Sequence, residues 1–566
     1  MVGPGPGGPG AAARPGRRRV RAGRPAVALG ALTALALAAA GGCSSLPHYR
    51  PGHTYYVSAS GDDGNDGRSA DHAWRTLSRA DRQQLVAGDR LLLQGGSRFP
   101  GSLTVGRNDA GQPKQPVVIG SYGSGRATIA PANGPGVTVV DTGGVEVRDL
   151  VVTGNDRTLK GPSGILLFSD RQGTQRLDHV VVSGVDVSRF AIGLAVGCAD
   201  HAVGFHDVRV ASSVVHDNTD DGLLTYGPRL DTKNPVYSHQ DVVISGVQAY
   251  RNLGDPTSTH HNTGSGIVMG GVQGGRIEQS EAHDNGSNSA AKALEGPVGI
   301  WAYDSTGLTI EHNRSYHNHT PAIVDGSGFG LDQNVSSTTV QYNLAYGNDG
   351  PGYHAFTNFT NGAFRDDTIR FNISSNDGRK LAQNGGIDVH GADVRNLRIF
   401  NNTVVMTGTG AKQGPAVRLR KNPVGVSLRN NILITDGSPV VSAATAYTPQ
   451  QVVLQGNDYF AASGSWQVRW GQSTYRSLGQ WRDAQHQELV GGKPTGLTAD
   501  PCLAGGRAPS ISSAAQAPRI VPTCDAVAGK GVDLRKDFGI DPGPTDWFGT
   551  ALSAPTLIGA ADLHTR

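Results

Sequence analysis

Gly266-Ile267-Val268-Met269, Gly299-Ile300-Trp301-Ala302, Gly328-Phe329-Gly330-Leu331, Gly352-Tyr353-His354-Ala355 and Gly386-Ile387-Asp388-Val389 share one form, a glycine opening a short stretch of period two. The form begins earlier, at Gly164, Gly193 and Gly222, and continues into Ala416-Val417-Arg418-Leu419. Successive starts lie 29, 29, 44, 33, 29, 24, 34 and 30 residues apart. Between them runs a second alternating element, as in Leu308-Thr309-Ile310-Glu311-His312-Asn313 and Leu397-Arg398-Ile399-Phe400-Asn401-Asn402. Period two predicts strands, and no helical period separates them. Short strands at regular spacing, without crossover helices, form a solenoid whose coils pair about 4.8 Å apart. The crossover rule makes that coil right-handed. A propeller would need about four antiparallel strands and hairpin turns per unit, and no such turns are present. The expected fold is all-β: a right-handed parallel β-helix. Asn313, Asn343 and Asn372 suit an internal amide ladder at one corner.

Outward from the repeat, the chain divides into a leader at 1–42, a linker at 43–52, a capping segment with the first coils at 53–134, the repeats at 135–460, and a C-terminal cap at 461–566. Its 566 residues exceed what one compact core holds. Glycine is abundant, 80 residues, yet has no three-residue period, which excludes collagen. The first 42 residues hold six arginines and no acid; without them 44 basic residues face 47 acidic ones, a net charge of −3. That balance excludes a nucleic-acid binder relying on phosphate neutralisation. Arg14 to Arg24 followed by the apolar run Ala26 to Ala40 reads as a signal peptide. Ala40-Gly41-Gly42-Cys43 resembles a bacterial lipobox, so Cys43 is the expected lipid anchor and the rest is extracytoplasmic, a monomer tethered to the membrane. Such a compartment permits a disulfide between Cys502 and Cys524, with Cys198 buried in a strand.

Thr54-Tyr55-Tyr56-Val57-Ser58-Ala59-Ser60-Gly61, Trp74-Arg75-Thr76-Leu77, Ala87-Gly88-Asp89-Arg90-Leu91-Leu92-Leu93 and Val117-Val118-Ile119-Gly120-Ser121-Tyr122-Gly123 resemble the N-terminal segment of secreted proteins of the pectate-lyase-like superfamily. The resemblance covers roughly residues 53–460 and implies the right-handed parallel β-helix fold rather than one reaction. A solenoid needs its open end covered. A helix between Trp74 and Leu85, with Leu77, Ala80 and Leu85 on one face, is expected to do so.

Alternation assigns faces. In each glycine-led strand the first and third residues point inward, so the second and fourth point out. Stacked by coil, the second positions read Val268, Trp301, Gly330, His354, Asp388 and Arg418; the fourth read Gly270, Tyr303, Asp332, Phe356, His390 and Arg420. His354, Asp388 and Arg418 are expected to form one polar chain, with Asp332 diagonal to His354 and Gly330 leaving a hollow beside Trp301. Asp332, His354, Asp388, His390 and Arg418 are the candidate catalytic residues. Trp301, Tyr303, Phe356 and Arg420 are candidate substrate contacts. Aromatic faces, a hollow and proton-exchanging groups are what a polysaccharide site requires; the bland alternative is a solvated sheet face with cross-strand charge pairs. Asp325 and Asp304, beside glycine-rich turns, read as structural. The long insertions Gly227 to His239, Leu253 to Thr263 and Asn285 to Pro297 are expected to wall the strip.

Asp217-Asn218-Thr219-Asp220-Asp221-Gly222 puts closely spaced carboxylates on a turn, a donor set suited to calcium. It resembles the Asp-Asp-Gly turn of family 9 pectate lyases, and that resemblance implies Asp217, Asp220 and Asp221 as calcium ligands. Those enzymes carry a base lysine one coil later; here Gly264-Ser265-Gly266-Ile267-Val268-Met269-Gly270-Gly271 has Val268 in its place. The Gly-His-Gly and Arg-Ile-Lys motifs of polygalacturonases are absent. The reading that follows is a surface-anchored polysaccharide-degrading enzyme, hydrolase slightly ahead of lyase. A histidine-based lyase with an arginine neutralising a uronate remains open, and a non-catalytic glycan-binding or envelope-structural solenoid is the other class.

Overall fold

The computed structural model describes residues 52–562 except 110, 156, 382–383, 408–413 and 553, so the leader and Cys43 lie outside the described residues. The chain winds through three long sheets of 14, 14 and 13 strands, and each strand's partner in its sheet lies one coil away. The first sheet runs from Thr54–Val57 to Val452–Gln455, the second from Leu103–Val105 to Ser473–Tyr475, and the third from Arg98–Pro100 to Asp458–Ala461. Pairing within these three sheets is parallel except at the end of the second, where Val468–Trp470 meets its chain neighbour Ser473–Tyr475 antiparallel. The glycine-led strands form the second sheet, and the intervening elements form the first. The third sheet was not legible because many of its strands have three residues, such as Gln248–Tyr250 and Glu281–His283, too few to display a period.

Inward positions stack as the alternation predicts. Ile267, Ile300, Phe329, Tyr353, Ile387 and Val417 pair successively down the second sheet. None exceeds 2% exposure. The Phe329 and Tyr353 rings lie face to face, 5.1 Å between centroids.

Two amide ladders hold the coils in register. The expected one runs Asn313, Asn343, Asn372, Asn402, Asn431 and Asn457, each Nδ2 donating to the next Oδ1 at 2.8–3.1 Å. It ends on Glu488 Oε1, 2.9 Å from Asn457 Nδ2. A second, unforeseen ladder runs Asn218, Asn252, Asn285, Asn318 and Asn348 and ends on Asp377 Oδ1. Every link donates in the same direction, so each ladder closes on an acceptor that owes no further donation, a carboxyl oxygen. The second ladder also accounts for the glycines. A Cβ at Gly193, Gly222, Gly299 or Gly328 would stand 2.6–2.9 Å from the amide nitrogen of Asn218, Asn252, Asn318 or Asn348.

The expected N-terminal helix is a single turn, Leu77–Ala80, capped by Thr76; Leu77, Ala80 and Leu85 are nonetheless all buried. At the other end, the helix Leu478–Gln485 buries Trp481 against Trp470 and Tyr459, with centroids 5.5 and 5.7 Å apart. Gln487 finishes the last strand of the first sheet, accepting from Leu454 N at 2.8 Å and donating to Val452 O at 3.1 Å. The C-terminal segment covers outward apolar residues of the third sheet, with Ile511, Ile520 and Ile558 packed against Leu344, Ile373, Val405 and Ile432. Cys502 and Cys524 are joined in a disulfide within it, and Cys198 is free and buried.

Asn318→Ala would orphan several buried partners at about 1–3 kcal/mol each, so its chemical-unfolding midpoint should fall clearly. Gly299→Ala should also destabilise, because its Cβ would sit 2.0 Å from Ser315 Oγ and 2.6 Å from Asn318 Nδ2. Since they share a contact, the double variant should lose less than the two losses added. On the outer face His216 is clamped between Asp186 and Asp217 at 3.0 and 2.6 Å. The Asp186 hydrogen bond foremost lifts its pKa above 6.5, against the opposing effect of burial. A raised imidazole pKa adds stability that is fully present below the unfolded value and lost as pH rises through the folded one. Melting curves across pH 5–9 should therefore show His216→Gln behind the parent at the acid end, with the gap closing toward the alkaline end.

Candidate functional site

The outward columns of the second sheet align as the repeat requires. Val268 pairs with Trp301, Trp301 with Gly330, Gly330 with His354, His354 with Asp388, and Asp388 with Arg418. The companion column pairs Gly270 with Tyr303, Phe356 with His390, and His390 with Arg420. Over these strands lies a cavity of about 570 Å³, walled by Trp301, Tyr303, Asp332, His354, Phe356, His390 and Arg420 from the strip. His261, Asn262, Leu294, Glu295 and Gly296 close it from two of the long insertions. The third insertion, 227–239, contributes no residue to the described lining.

Asp325, read from sequence as structural, stands in this wall. It precedes the strand Ser327–Leu331 in the left-handed region, with φ 54°, followed by Gly326 at φ 74°. Gly296 N donates to its Oδ2 at 2.7 Å, and its Oδ1 faces His354 Nδ1 at 3.5 Å. Asp332 follows the same strand; its backbone N still bonds Ala302 O at 2.9 Å, and its Oδ1 accepts from Gln333 N at 2.7 Å. One strand thus delivers a carboxyl at either end to a single cavity.

The two carboxyls differ in surroundings. Burial pushes Asp332 up to about 7, helped by the charges of Asp325 and Glu295 and opposed by the Gln333 hydrogen bond and His354. His354 is itself pulled down by burial, but Asp325 and Asp388 outweigh that and hold it above the ordinary histidine value. The His354 proton is thus favoured by the Asp325 side chain it faces. Aromatic groups line the same space: Trp301 and Tyr303 are 5.3 Å apart, His354 and Phe356 5.6 Å, Phe356 and His390 5.3 Å. Asp221 Oδ1, Trp301 Nε1 and His354 Nε2 are buried polar atoms of wall residues with no hydrogen-bond partner. Unpaired buried groups cost about 1–3 kcal/mol each and are uncommon away from functional sites.

Three expectations need correction. Asp388 is on the strip but is completely shielded, and its carboxylate pairs with Arg420, not Arg418, through Nε at 3.2 Å and Nη2 at 2.7 Å. Arg418 turns instead to Ser442 Oγ at 2.8 Å and is absent from the cavity wall, both oxygens of the Asp388 carboxylate being occupied by Arg420. The polar chain His354–Asp388–Arg418 therefore does not form: His354 turns its Nδ1 to Asp325, its Nε2 has no hydrogen-bond partner, and Asp388 is taken by Arg420. Asp217 is separated from the other two aspartates of its turn by its partners, His216 and the two-pronged Arg251, which hold it down at about 2. Asp220 meets His261 Nε2 at 3.2 Å, while Asp221 enters the cavity wall, where burial and Asp220 push its carboxyl well above the usual range. No three His, Cys, Asp or Glu side chains among the described residues are grouped to hold a metal ion. The calcium triad drawn from the sequence does not fit this donor geometry. Asp304 is structural, as its residues implied: Leu230 N and Asn334 Nδ2 donate to it.

The family model "Right handed beta helix region" matches residues 128–404. A lacto-N-biosidase of Bifidobacterium longum subsp. longum is 23% identical over 510 residues, covering 69% of this chain and 30% of that enzyme. The chain thus spans under a third of that relative's length. Among solved structures, the lacto-N-biosidase of Eubacterium ramulus superposes with a TM-score of 0.47 at 17% identity, over 66% of this chain and 68% of that one. An alginate lyase from Paenibacillus gives 0.37 at 18% identity, over 56% and 94%. Coil architecture and family-model match together make this chain a right-handed parallel β-helix protein.

Proposed function

We propose that the protein is a glycoside hydrolase whose active site is the cavity over Trp301, Gly330 and His354. The observation that carries the reading is the pair Asp325 and Asp332 on one strand, of which one is held in its acid form and the other faces an imidazole. Hydrolysis of a glycosidic bond needs a carboxylic acid to protonate the leaving oxygen and a carboxylate to serve the opposite face of the sugar. Asp332, protonated below about 7, is the acid. Asp325, anchored by Gly296 N and His354, is the carboxylate that attacks or activates water. Trp301 and Tyr303 offer ring faces to the sugar, and Gly330 leaves the room beneath it. His354 acts through Asp325 and is a positioning residue. The similarity to lacto-N-biosidases supports a carbohydrate-active enzyme at that general level.

Elimination has less support. Val268, at the position of the pectate-lyase lysine, is an apolar residue with 1% exposure and takes no proton. The proposed setting is extracytoplasmic, with Cys43 as the acylated anchor and a polysaccharide or its fragments as substrate. The disulfide Cys502–Cys524 supports an oxidising compartment.

The test is turnover of a panel of oligosaccharides, scored by new reducing ends and by absorbance of unsaturated uronates. Reducing ends without that absorbance support hydrolysis; unsaturated products would overturn it. Asp332→Asn should lower kcat about a thousandfold while leaving sugar binding intact. In the parent, the rate should fall as pH rises through about 7, because the acid must carry its proton. Gly330→Ala would put a Cβ 3.0 Å from Trp301 Cβ. It should raise KM by displacing the indole while leaving the melting temperature nearly unchanged.

A further inference from the structure

Arg420 is the only arginine or lysine in the described wall of the cavity, alongside Asp221, Glu295, Asp325 and Asp332. Its charge is already matched. The completely buried Asp388 carboxylate takes the Nε–Nη2 edge in a two-pronged pair, at 3.2 and 2.7 Å. That edge is the one an arginine offers to an incoming carboxylate or phosphate. What remains directed elsewhere is Nη1. Beside it, His390 pairs in register with Arg420 and stacks edge-on to Phe356. Burial first, and Arg420 next, hold the His390 imidazole near about 3, so it is uncharged and both donates and accepts.

We propose that Asp388 and Arg420 form a recognition site for an uncharged sugar unit, in which the buried carboxylate fixes the guanidinium and cancels its charge while Arg420 Nη1 donates to sugar oxygens. The inference rests on the glycan-cleft reading and specifies the class of glycan admitted. A guanidinium with an open fork would select uronates. This one has its fork filled, so the carboxylate of an acidic sugar finds no paired donor edge and pays its desolvation uncompensated, while neutral sugars are retained by directed donors. Asp388 touches no substrate here; it is a positioning residue rather than a catalytic one.

An array of matched neutral and uronic-acid-bearing oligosaccharides, probed with Asp332→Asn protein, tests this without turnover. Neutral glycans should be retained over their acidic counterparts. Adding Arg420→Gln should weaken neutral binding roughly tenfold, the usual worth of a charge-assisted hydrogen bond. Adding Asp388→Asn should instead free a cation in the cavity and move the preference toward acidic glycans. Arg420→Lys, which keeps charge but not the fork, should not restore neutral binding. Equal retention of neutral and acidic glycans, unchanged binding in Arg420→Gln, or a uniform loss in Asp388→Asn with no shift of preference would overturn the inference. So would the absence of any retained glycan. Melting curves of each variant separate loss of fold from loss of recognition. Selective retention of neutral glycans that the parent never cleaves would refute the hydrolase reading and leave this inference standing.

Discussion

Buried corner amides, each donating to the amide of the next coil, fix how this chain stacks from Asn218 onward. Backbone pairing alone would tolerate a coil slipping by two residues, since alternation is preserved. The buried asparagines do not tolerate it: an interior member such as Asn318 accepts from the amide one coil before and donates to the amide one coil after, and a slip would leave several polar groups unpaired in an apolar interior. The glycines that open four strands of the second sheet, Gly193, Gly222, Gly299 and Gly328, follow from the same constraint, because the ladder amide occupies the space a Cβ would need. The repeat that reveals the fold is thus the negative image of a ladder the repeat itself does not show.

Register in turn makes the site. Residues some thirty positions apart become neighbours, so Trp301, Gly330 and His354 form a continuous floor. Insertions of unequal length rise from some coils and not others. They convert an open face into a cavity, bring Glu295 and His261 to its rim, and shield Asp332 enough to keep its proton. Scaffold and chemistry are separable here. The inward column sets stability, the outward column sets charge, and the insertions set the dielectric in which that charge acts.

The fold was largely legible because period two and coil spacing are properties of the sequence alone. Which outward residues meet was legible too, and Asp332 and His354 do share a wall. What alternation does not encode is where a side chain goes after it leaves the sheet. Asp388 occupies an outward position yet is sealed by Arg420, whose longer reach crosses one position diagonally. Asp325 lies on a turn, where alternation assigns no face; its backbone is left-handed and its carboxyl stands in the cavity wall facing His354. Its reading as structural rested on the neighbouring glycines; the coil above, through Gly296, and the coil below, through His354, supply the geometry that reverses it. Asp217 was grouped with Asp220 and Asp221 by proximity in the chain, but a bend divides the sheets they serve.

A parallel coil presents, at each end, a row of backbone groups seeking a partner, and nothing in the row distinguishes the next coil from another molecule. At the C-terminal end Trp481 plugs the interior and Gln487 imitates the missing strand, pairing with Leu454 and Val452 through its side-chain amide. A glutamine can satisfy the terminal strand but offers no further strand edge of its own. The C-terminal end of the first sheet is thereby closed from within the chain, by side-chain amide groups standing where a fibril of the same spacing would place its next strand.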